Sequence, residues 1–397
     1  MDQIKQRAID LHKKHQGKLA TVSLVDIQNR DDLSLAYTPG VAAVASAVAE
    51  KPELSFDLTW RGRTVAVISD GSAVLGLGNI GPEGALPVME GKSLLLKRFA
   101  NVDSVPLVLD THDPAKIIEI VKNLAPSFAG VNLEDIAAPA CFQIEESLQD
   151  IGIPVFHDDQ HGTAIVVTAA LHNAAKVVGK PFESLKVVIV GAGAAGLAVS
   201  RMLLGLNCSE DSCQRLPGSS SVKDVIVVDS KGALYTGREN MNIYKQAIAG
   251  LSNQNKLKGD LEAVAKGADV LIGVSGPGNI TPQAIRVMAD KPIVFAMANP
   301  TPEIMPEEAK AAGAYIVATG RSDFPNQINN LLAFPAIFKA VVDGRLTTVT
   351  HAMKEAAAKR LASLVENPTP DYIVPDPFFE GLVDEVSKAI LGISFSR

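Results

Sequence analysis

The sequence predicts an α/β protein of two domains. A mixed α/β domain covers residues 1–160, and a doubly wound parallel-sheet domain covers 161–397, with C-terminal helices packing back. Three observations carry this reading. The chain has 397 residues and is 47% hydrophobic, which suffices for two cores. Before about residue 160, short β-rich runs alternate with helical stretches. Beyond it, apolar runs recur, each followed by turn signals or helical sequence, as in a sheet buried on both faces.

The elements follow in order. At the N-terminus, Ile4, Ala8 and Leu11 recur at helical spacing in MDQIKQRAIDLHKKHQGK, predicting an amphipathic helix that packs on a domain or on a second subunit. Its scattered lysines break the apolar core that a secretory signal requires. RTVAVIS (63–69) and VPLVLD (105–110) read as strands, and PAKIIEIVKNLA reads as a helix. In the second domain LKVVIVG, VIVVD, ADVLIGV, PIVFAMA and YIVAT read as parallel strands. From about residue 333, AFPAIFKAVV and HAMKEAAAKRLASLV are helical and are expected to pack across both domains. The polar segment SEDSCQRLPGSSS (209–221) reads as an inserted, exposed loop.

Composition excludes several functions. The net charge is −7 with no block of Lys and Arg, which argues against nucleic acid or an anionic membrane as a partner and favours small molecules. No window is read as long, apolar and charge-free enough to cross a membrane. Cys141, Cys208 and Cys213 are too few and too irregular for a disulfide framework or a zinc knuckle, so all three are expected to be thiols. These features together predict a cytoplasmic protein.

The motif VVIVGAGAAG sets Gly191, Gly193 and Gly196, with Ala194 and Ala195, directly after a strand and at the start of a helix. Such a turn lets backbone N–H groups and a helix N-terminus approach a pyrophosphate, as in a Rossmann-type dinucleotide-binding domain. An acid is expected at the end of the next strand, about 20 residues on. Asp229 ends VIVVD, 33 residues past Gly196; discounting the 13-residue insertion leaves 20. Asp229 would bond the ribose hydroxyls of NAD, whereas Lys231 would suit the 2′-phosphate of NADP, so either cofactor fits.

Other residues are ambiguous alone. GKS at 91–93 is not a phosphate-binding loop, because Leu86 stands where such a loop needs glycine. Lys92 is then either a solvated lysine or a desolvated general base with a lowered pKa. VFHDDQHGTA places Asp158 and Asp159 between His157 and His161 after an apolar run. It matches the zinc-protease pattern poorly, since Asp158 replaces glutamate and Gly162 is expected to interrupt the helix. Glu134 and Asp135, with Asp159, would make a hard oxygen site for magnesium or manganese; equally, the first two would cap a helix.

Several longer stretches point in one direction: LAYTPGVA (35–42), DGSAVLGLGNIGPEGALPVMEGK (70–92), NLEDI (132–136), FHDDQHGTA (156–164), ANPTPEI (298–304) and FPNQINN (324–330). Together they resemble the malic enzymes, in particular the short bacterial type, over nearly the whole chain. The resemblance implies oxidative decarboxylation of (S)-malate to pyruvate and carbon dioxide, with NAD or NADP and a magnesium or manganese ion. It implies that Lys92 takes the proton of the 2-hydroxyl and that Glu134, Asp135 and Asp159 hold the metal. Asp158 would tune Lys92, and Tyr37 would protonate carbon 3, with Lys92 as its cationic neighbour. Asn299 and Asn329 would lie near nicotinamide and substrate. A homodimer or higher homo-oligomer is implied as well.

Two departures matter. Larger members carry an arginine that grips a substrate carboxylate where this sequence has Ala73. The acyltransferase-like extension of some bacterial members is not expected here, since the sequence ends soon after the cofactor domain. The rival within the family is a malolactic activity that converts malate to lactate on tightly held NAD; the rival outside it is a nucleotide sensor, which the presence of Tyr37, Lys92 and all three metal ligands disfavours.

Overall fold

The computed structural model describes residues 2–74, 76–208 and 213–394. Four parallel strands form the first sheet: β1 (Thr64–Ser69), β2 (Asp103–Val108), β3 (Gly130–Leu133) and β4 (Val155–His157), in the order β2-β1-β3-β4. Every residue of β1 is buried, as expected of a parallel strand covered on both faces. Next come β5 (Lys186–Val190), the short antiparallel pair β6 (Leu206–Cys208) and β7 (Cys213–Arg215), β8 (Asp224–Asp229) and β9 (Gly232–Ala233). The last strands are β10 (Val270–Gly273), β11 (Ile293–Ala296) and β12 (Ile316–Thr319). The second sheet has the order β12-β11-β10-β5-β8-β9 and is parallel except for β9. In both sheets the chain fills one side and then the other, reversing beside β1 and beside β5. Doubly wound sheets bind ligands outside the carboxyl ends of the strands at such reversals.

The helix Asp158–Val178 starts directly at the end of β4 and is buried along most of its length. It packs against the helices Ala194–Leu203 and His351–Ser363. A helix apolar on nearly every side belongs in a core, so this one holds its first turn rigidly between the two sheets. It runs unbroken through Gly162, contrary to the interruption expected there. A Cβ on residue 162 would lie 1.8 Å from Asp158 Oδ1, so glycine is needed to make room for a carboxylate within the helix. The C-terminal helix Phe334–Gly344 returns to the first sheet, packing on the helix Gly81–Ala100 and on β3. Phe338 meets Phe156 edge-on at 5.9 Å.

The N-terminal arm departs from expectation. No described residue before Ser55 is buried, and the helix Asp2–His15 exposes Ile4 and Leu11 rather than packing them on its own chain. By length and composition, Arg30–Glu50 reaches what a membrane-spanning helix needs, which the sequence reading did not anticipate. It is folded as two helices, Arg30–Ala36 and Gly40–Glu50, of 7 and 11 residues. Neither is long enough to cross a bilayer, which takes about 20 residues.

The cysteines are also corrected. Cys208 and Cys213 face each other across β6 and β7 and are joined as a disulfide, leaving Cys141 as the buried thiol. Of the segment taken as an exposed loop, Cys213–Arg215 is a strand and 209–212 lies outside the described residues.

Candidate active site

Sequence-distant residues converge at the carboxyl edge of the first sheet. Glu134 and Asp135 follow β3, and Asp158 and Asp159 follow β4 as the first turn of Asp158–Val178. Lys92 comes from the helix Gly81–Ala100, on the buried face it shares with Ala85, Met89 and Leu96. The solvated reading of Lys92 is thereby excluded: its side chain is 9% exposed. Its ammonium reaches Asp158 Oδ2 at 2.7 Å and Glu134 Oε1 at 2.9 Å, and lies 4.3 Å above the ring of Phe334.

Ligand atoms of Glu134, Asp135 and Asp159 lie within 4.8 Å of one another. Asp135 adopts a left-handed backbone (φ 55°), uncommon outside glycine, and its N–H donates to Asp159 Oδ2 at 2.8 Å. Asn132 Nδ2 donates to Glu134 Oε2 at 2.8 Å, orienting the second carboxylate. The cluster therefore holds four carboxylates and one ammonium. Burial pushes the carboxyl of Asp159 up to about 6 and that of Glu134 above its usual range, although Lys92 pulls both down. An all-oxygen site short of positive charge fits a hard divalent cation such as magnesium or manganese. His157 and His161 do not join it as a zinc pair. His157 is buried with its Nδ1 3.9 Å from Asp159 Oδ2, whereas His161 turns away to Glu145 at 2.8 Å.

The charge state of Lys92 corrects the expectation of a lowered pKa. Burial alone would lower it, but Asp158 and Glu134 outweigh burial and hold the ammonium above its ordinary value. Asp158 moves the opposite way: burial raises its carboxyl to about 7, against the pull of Lys92. The group poised near neutrality is therefore Asp158, in direct contact with Lys92.

At the second sheet, the glycine turn has the expected form. Gly191 has φ 120°, and a Cβ there would lie 2.4 Å from Val274 O; a Cβ on Gly196 would lie 1.9 Å from Gly191 O. Gly193 faces open space, and Ala194 and Ala195 begin the helix Ala194–Leu203. This exposed helix start suits a pyrophosphate. Asp229 is more fully engaged than expected. It accepts from Arg238 at 2.9 and 2.5 Å, from Lys245 at 2.7 Å and from the Lys231 backbone N–H at 3.0 Å. A carboxylate offers about four acceptor sites, so none is left over for a ribose diol unless a partner yields.

The two sheets face one another across the site. A Cβ on Gly76, in the loop after β1, would lie 2.1 Å from Asn299 O, after β11. Asn299 and Asn329 are half-buried, and Asn329 caps the turn Asn330–Leu332 through Leu331 N–H. Sequence reasoning missed Glu303, which is fully buried and accepts from Ser275 N–H at 2.7 Å and Ala298 N–H at 2.9 Å. It ties the loops after β10 and β11 together, and its signal was an acid inside an otherwise apolar and proline-rich loop. Ala73 donates its N–H to Asp135 O, and the cation paired with Glu134 and Asp158 is Lys92.

Tyr37 is not brought in. It is 65% exposed and makes no hydrogen bond or ring contact with Lys92 or the carboxylates. Within one chain, Lys92 is not its cationic neighbour.

Residues 160–390 match the family model for the malic enzyme NAD-binding domain, and 15–116 match that for the malic enzyme N-terminal domain. The chain belongs to the malic enzyme family. It is 52% identical over 391 residues to a bifunctional malic/malolactic enzyme of Bacillus subtilis, covering 98% of this chain and 92% of that protein. An NADP-dependent malic enzyme of Halomonas elongata is 43% identical over 408 residues, covering 98% and 93%. The crystal structure of an NAD-dependent malic enzyme from Thermotoga maritima superposes with a TM-score of 0.91 at 49% identity, covering 97% of this chain and 99% of that one. The family member described here thus has relatives named for either nicotinamide cofactor.

The metal site carries a pH prediction. A metal must displace the proton from Asp159, so below about pH 6 each ion bound releases a proton, and affinity falls as pH falls. The metal concentration giving half-maximal activity is expected to rise about fivefold from pH 6 to pH 5 and to stay nearly level from pH 7 to pH 8. Manganese titrations at the four pH values check this; a level response down to pH 5 would remove Asp159 from the site.

Proposed function

We propose that this malic enzyme oxidises (S)-malate and decarboxylates it to pyruvate and carbon dioxide, reducing NAD or NADP. The observation that carries the proposal is the buried Lys92–Asp158–Glu134 contact beside three mutually close carboxylates, at a sheet edge that faces the dinucleotide turn. Glu134, Asp135 and Asp159 would hold a divalent cation, which supplies Lewis-acid stabilisation of the negative charge that develops on the C2 oxygen as carbon dioxide leaves. Lys92 stays protonated and relays: as it takes the proton of the 2-hydroxyl it passes its own to Asp158, the contacting carboxylate that titrates near neutrality. A bound nicotinamide would supply the hydride acceptor for C2, with Asn299 the residue that would lie beside it and Asn329 the one that would orient the substrate.

The test is the initial rate of reduced-cofactor formation from (S)-malate with manganese, using NAD and NADP in parallel. A malolactic turnover is the second reading, favoured by the relative that carries both activities. It would release lactate with no net change in reduced cofactor, and lactate as the sole product would replace the first reading.

The occupied Asp229 bears on cofactor choice. Arg238 and Lys245 together outweigh its charge, so a 2′-phosphate meets net positive charge there. Both cofactors are therefore expected to work. Lys245→Ala should lower kcat/KM for NADP about tenfold and leave that for NAD within about threefold. Equal losses for the two would show that Lys245 only supports Asp229.

The exposed arm supports a homodimer. Val22, Leu24, Leu35 and Tyr37 are each more than 60% exposed on a segment with no buried residue. Several large apolar side chains exposed along one segment point to an interface. The arm is fastened near the site, where Lys18 donates from its backbone N–H to Glu90 Oε2 at 3.1 Å. In this reading the arm lies across a second copy and delivers Tyr37 to the partner subunit's cluster, where it protonates carbon 3. A monomer at assay concentration would end it.

A further inference from the structure

A cavity of about 710 Å³ lies apart from both the carboxylate cluster and the dinucleotide turn. Neither Lys92, Glu134 nor Asp159 lines it, nor does Gly191 or Asp229. Its walls come from four helices that meet behind the metal-bearing turn, Ala140–Glu146, Asp158–Val178, Ala194–Leu203 and His351–Ser363, together with residues 206–208, 216–219 and 348–350 and Tyr244. Gln160, His161 and Ala164 line it. At about 100° per residue these project from the opposite side of the helix to Asp158 and Asp159. The volume falls in the range of small-molecule sites, roughly 300–1,000 Å³.

Among the described residues, two cations on the wall have no carboxylate within ion-pair distance. Arg201 lies 5.5 Å from the ring centre of Phe142 and 5.9 Å from that of Tyr244, and its buried Nε has no hydrogen-bond partner. Lys354 contacts the ring of Phe156 at 5.8 Å, and burial lowers its ammonium to about 8, only partly offset by Glu145. The other charged groups on the wall are committed elsewhere. Glu145 takes His161 at 2.8 Å, and Glu355 takes His351 at 3.5 Å and Lys359 at 3.7 Å. Glu145 and Glu146 act on Arg201 only by offsetting part of the burial that lowers its guanidinium. The start of the 13-residue helix His351–Ser363 also opens onto the cavity, adding the partial positive charge of a helix N-terminus.

We propose that this cavity is an effector site for a phosphate-bearing small molecule, held by Arg201 and Lys354 and coupled to the metal-bearing turn through Glu145. The coupling element is explicit. Glu145 accepts from His157 N–H at 3.2 Å, from Gln160 Nε2 at 3.0 Å and from His161 Nε2 at 2.8 Å, so it fixes the turn that presents Asp158 and Asp159. A phosphate drawn to Lys354 places negative charge beside Glu145 and weakens its hold on that turn. The effect is inhibition through weaker metal binding. The coupling rests on the metal site proposed above, whereas the binding does not.

The experiment is calorimetric titration of inorganic phosphate into the metal-free protein, for the wild type and for Arg201→Met, Lys354→Met and Lys354→Arg. One site per chain is expected, weakened at least tenfold in each Met variant and kept within about threefold in Lys354→Arg. Both Met variants should keep the wild-type melting temperature and phosphate-free activity, because neither residue touches the cluster. No heat up to millimolar phosphate, or binding that ignores all three changes, overturns the site. In the kinetic arm, phosphate should raise the half-saturating magnesium concentration at least about fivefold in the wild type and not in Lys354→Met. Equal inhibition of both overturns the coupling. Loss of binding in the Met variants of a chain inactive on malate would retain the cavity and discard the proposed reaction.

Discussion

Asp159→Ala is expected to lower kcat/KM for malate by about a thousandfold or more, with cofactor binding unchanged. The loss follows from the arrangement: Asp159 is one of three ligand carboxylates, and its Oδ2 is the acceptor that holds Asp135 N–H at 2.8 Å. Removing it takes away one ligand and frees the strained backbone that carries another. Lewis-acid stabilisation of this kind is worth several kcal/mol of barrier, and each ~1.4 kcal/mol is tenfold in rate. Cofactor binding should survive, because the atoms that crowd Gly191 and Gly196 belong to Val274, Ser275 and the turn itself, not to Asp159. The decisive comparison is thermal. Manganese should raise the melting temperature of the wild type and leave that of the variant unmoved. The metal-free variant should melt no lower than the metal-free wild type, since one of four crowded carboxylates has gone. A variant that still responds to manganese as the wild type does would place the metal elsewhere.

Tyr37→Phe and Lys92→Met are each expected to be inactive alone, yet to regain about a quarter of wild-type activity when co-expressed. In a two-fold dimer with the arm exchanged, a mixed dimer has one site with both residues intact and one with neither. Half the dimers are mixed at equal expression and each carries one working site of two, which sets the value at about a quarter. If tyrosine and lysine served the same chain's site, mixing would restore nothing. The single losses should be large, at about a hundredfold or more, because general acid and base groups contribute that much. Lys92 carries the second argument as well. Methionine keeps its packing over Phe334 but leaves Asp158 and Glu134 without their shared cation, at 2.7 and 2.9 Å in the wild type.

Much of this arrangement was legible in the chain itself, for local reasons. The strands could be read because parallel strands buried on both faces must be apolar runs, and VVIVGAGAAG could be read because Gly191 and Gly196 sit where a Cβ would strike backbone. Glu134, Asp135 and Asp159 could be nominated by residue type, but spacing alone left the first two equally suited to a helix cap. What joins them is the register of β3 and β4: Leu133 pairs with His157, so the residues that follow each strand emerge side by side.

The sequence by itself determined the two-sheet α/β plan, the dinucleotide turn and the family, because each is written in a contiguous stretch. Only the tertiary structure decided the electrostatics and the distances between stretches. It showed Lys92 buried between two carboxylates and so held protonated, where its own segment suggested a solvated lysine. It showed Asp229 already saturated by Arg238, Lys245 and a backbone N–H, and Tyr37 remote from the lysine it was expected to meet. Charge states and contacts of this kind depend on which distant residues burial brings within a few ångströms, and no local pattern encodes that.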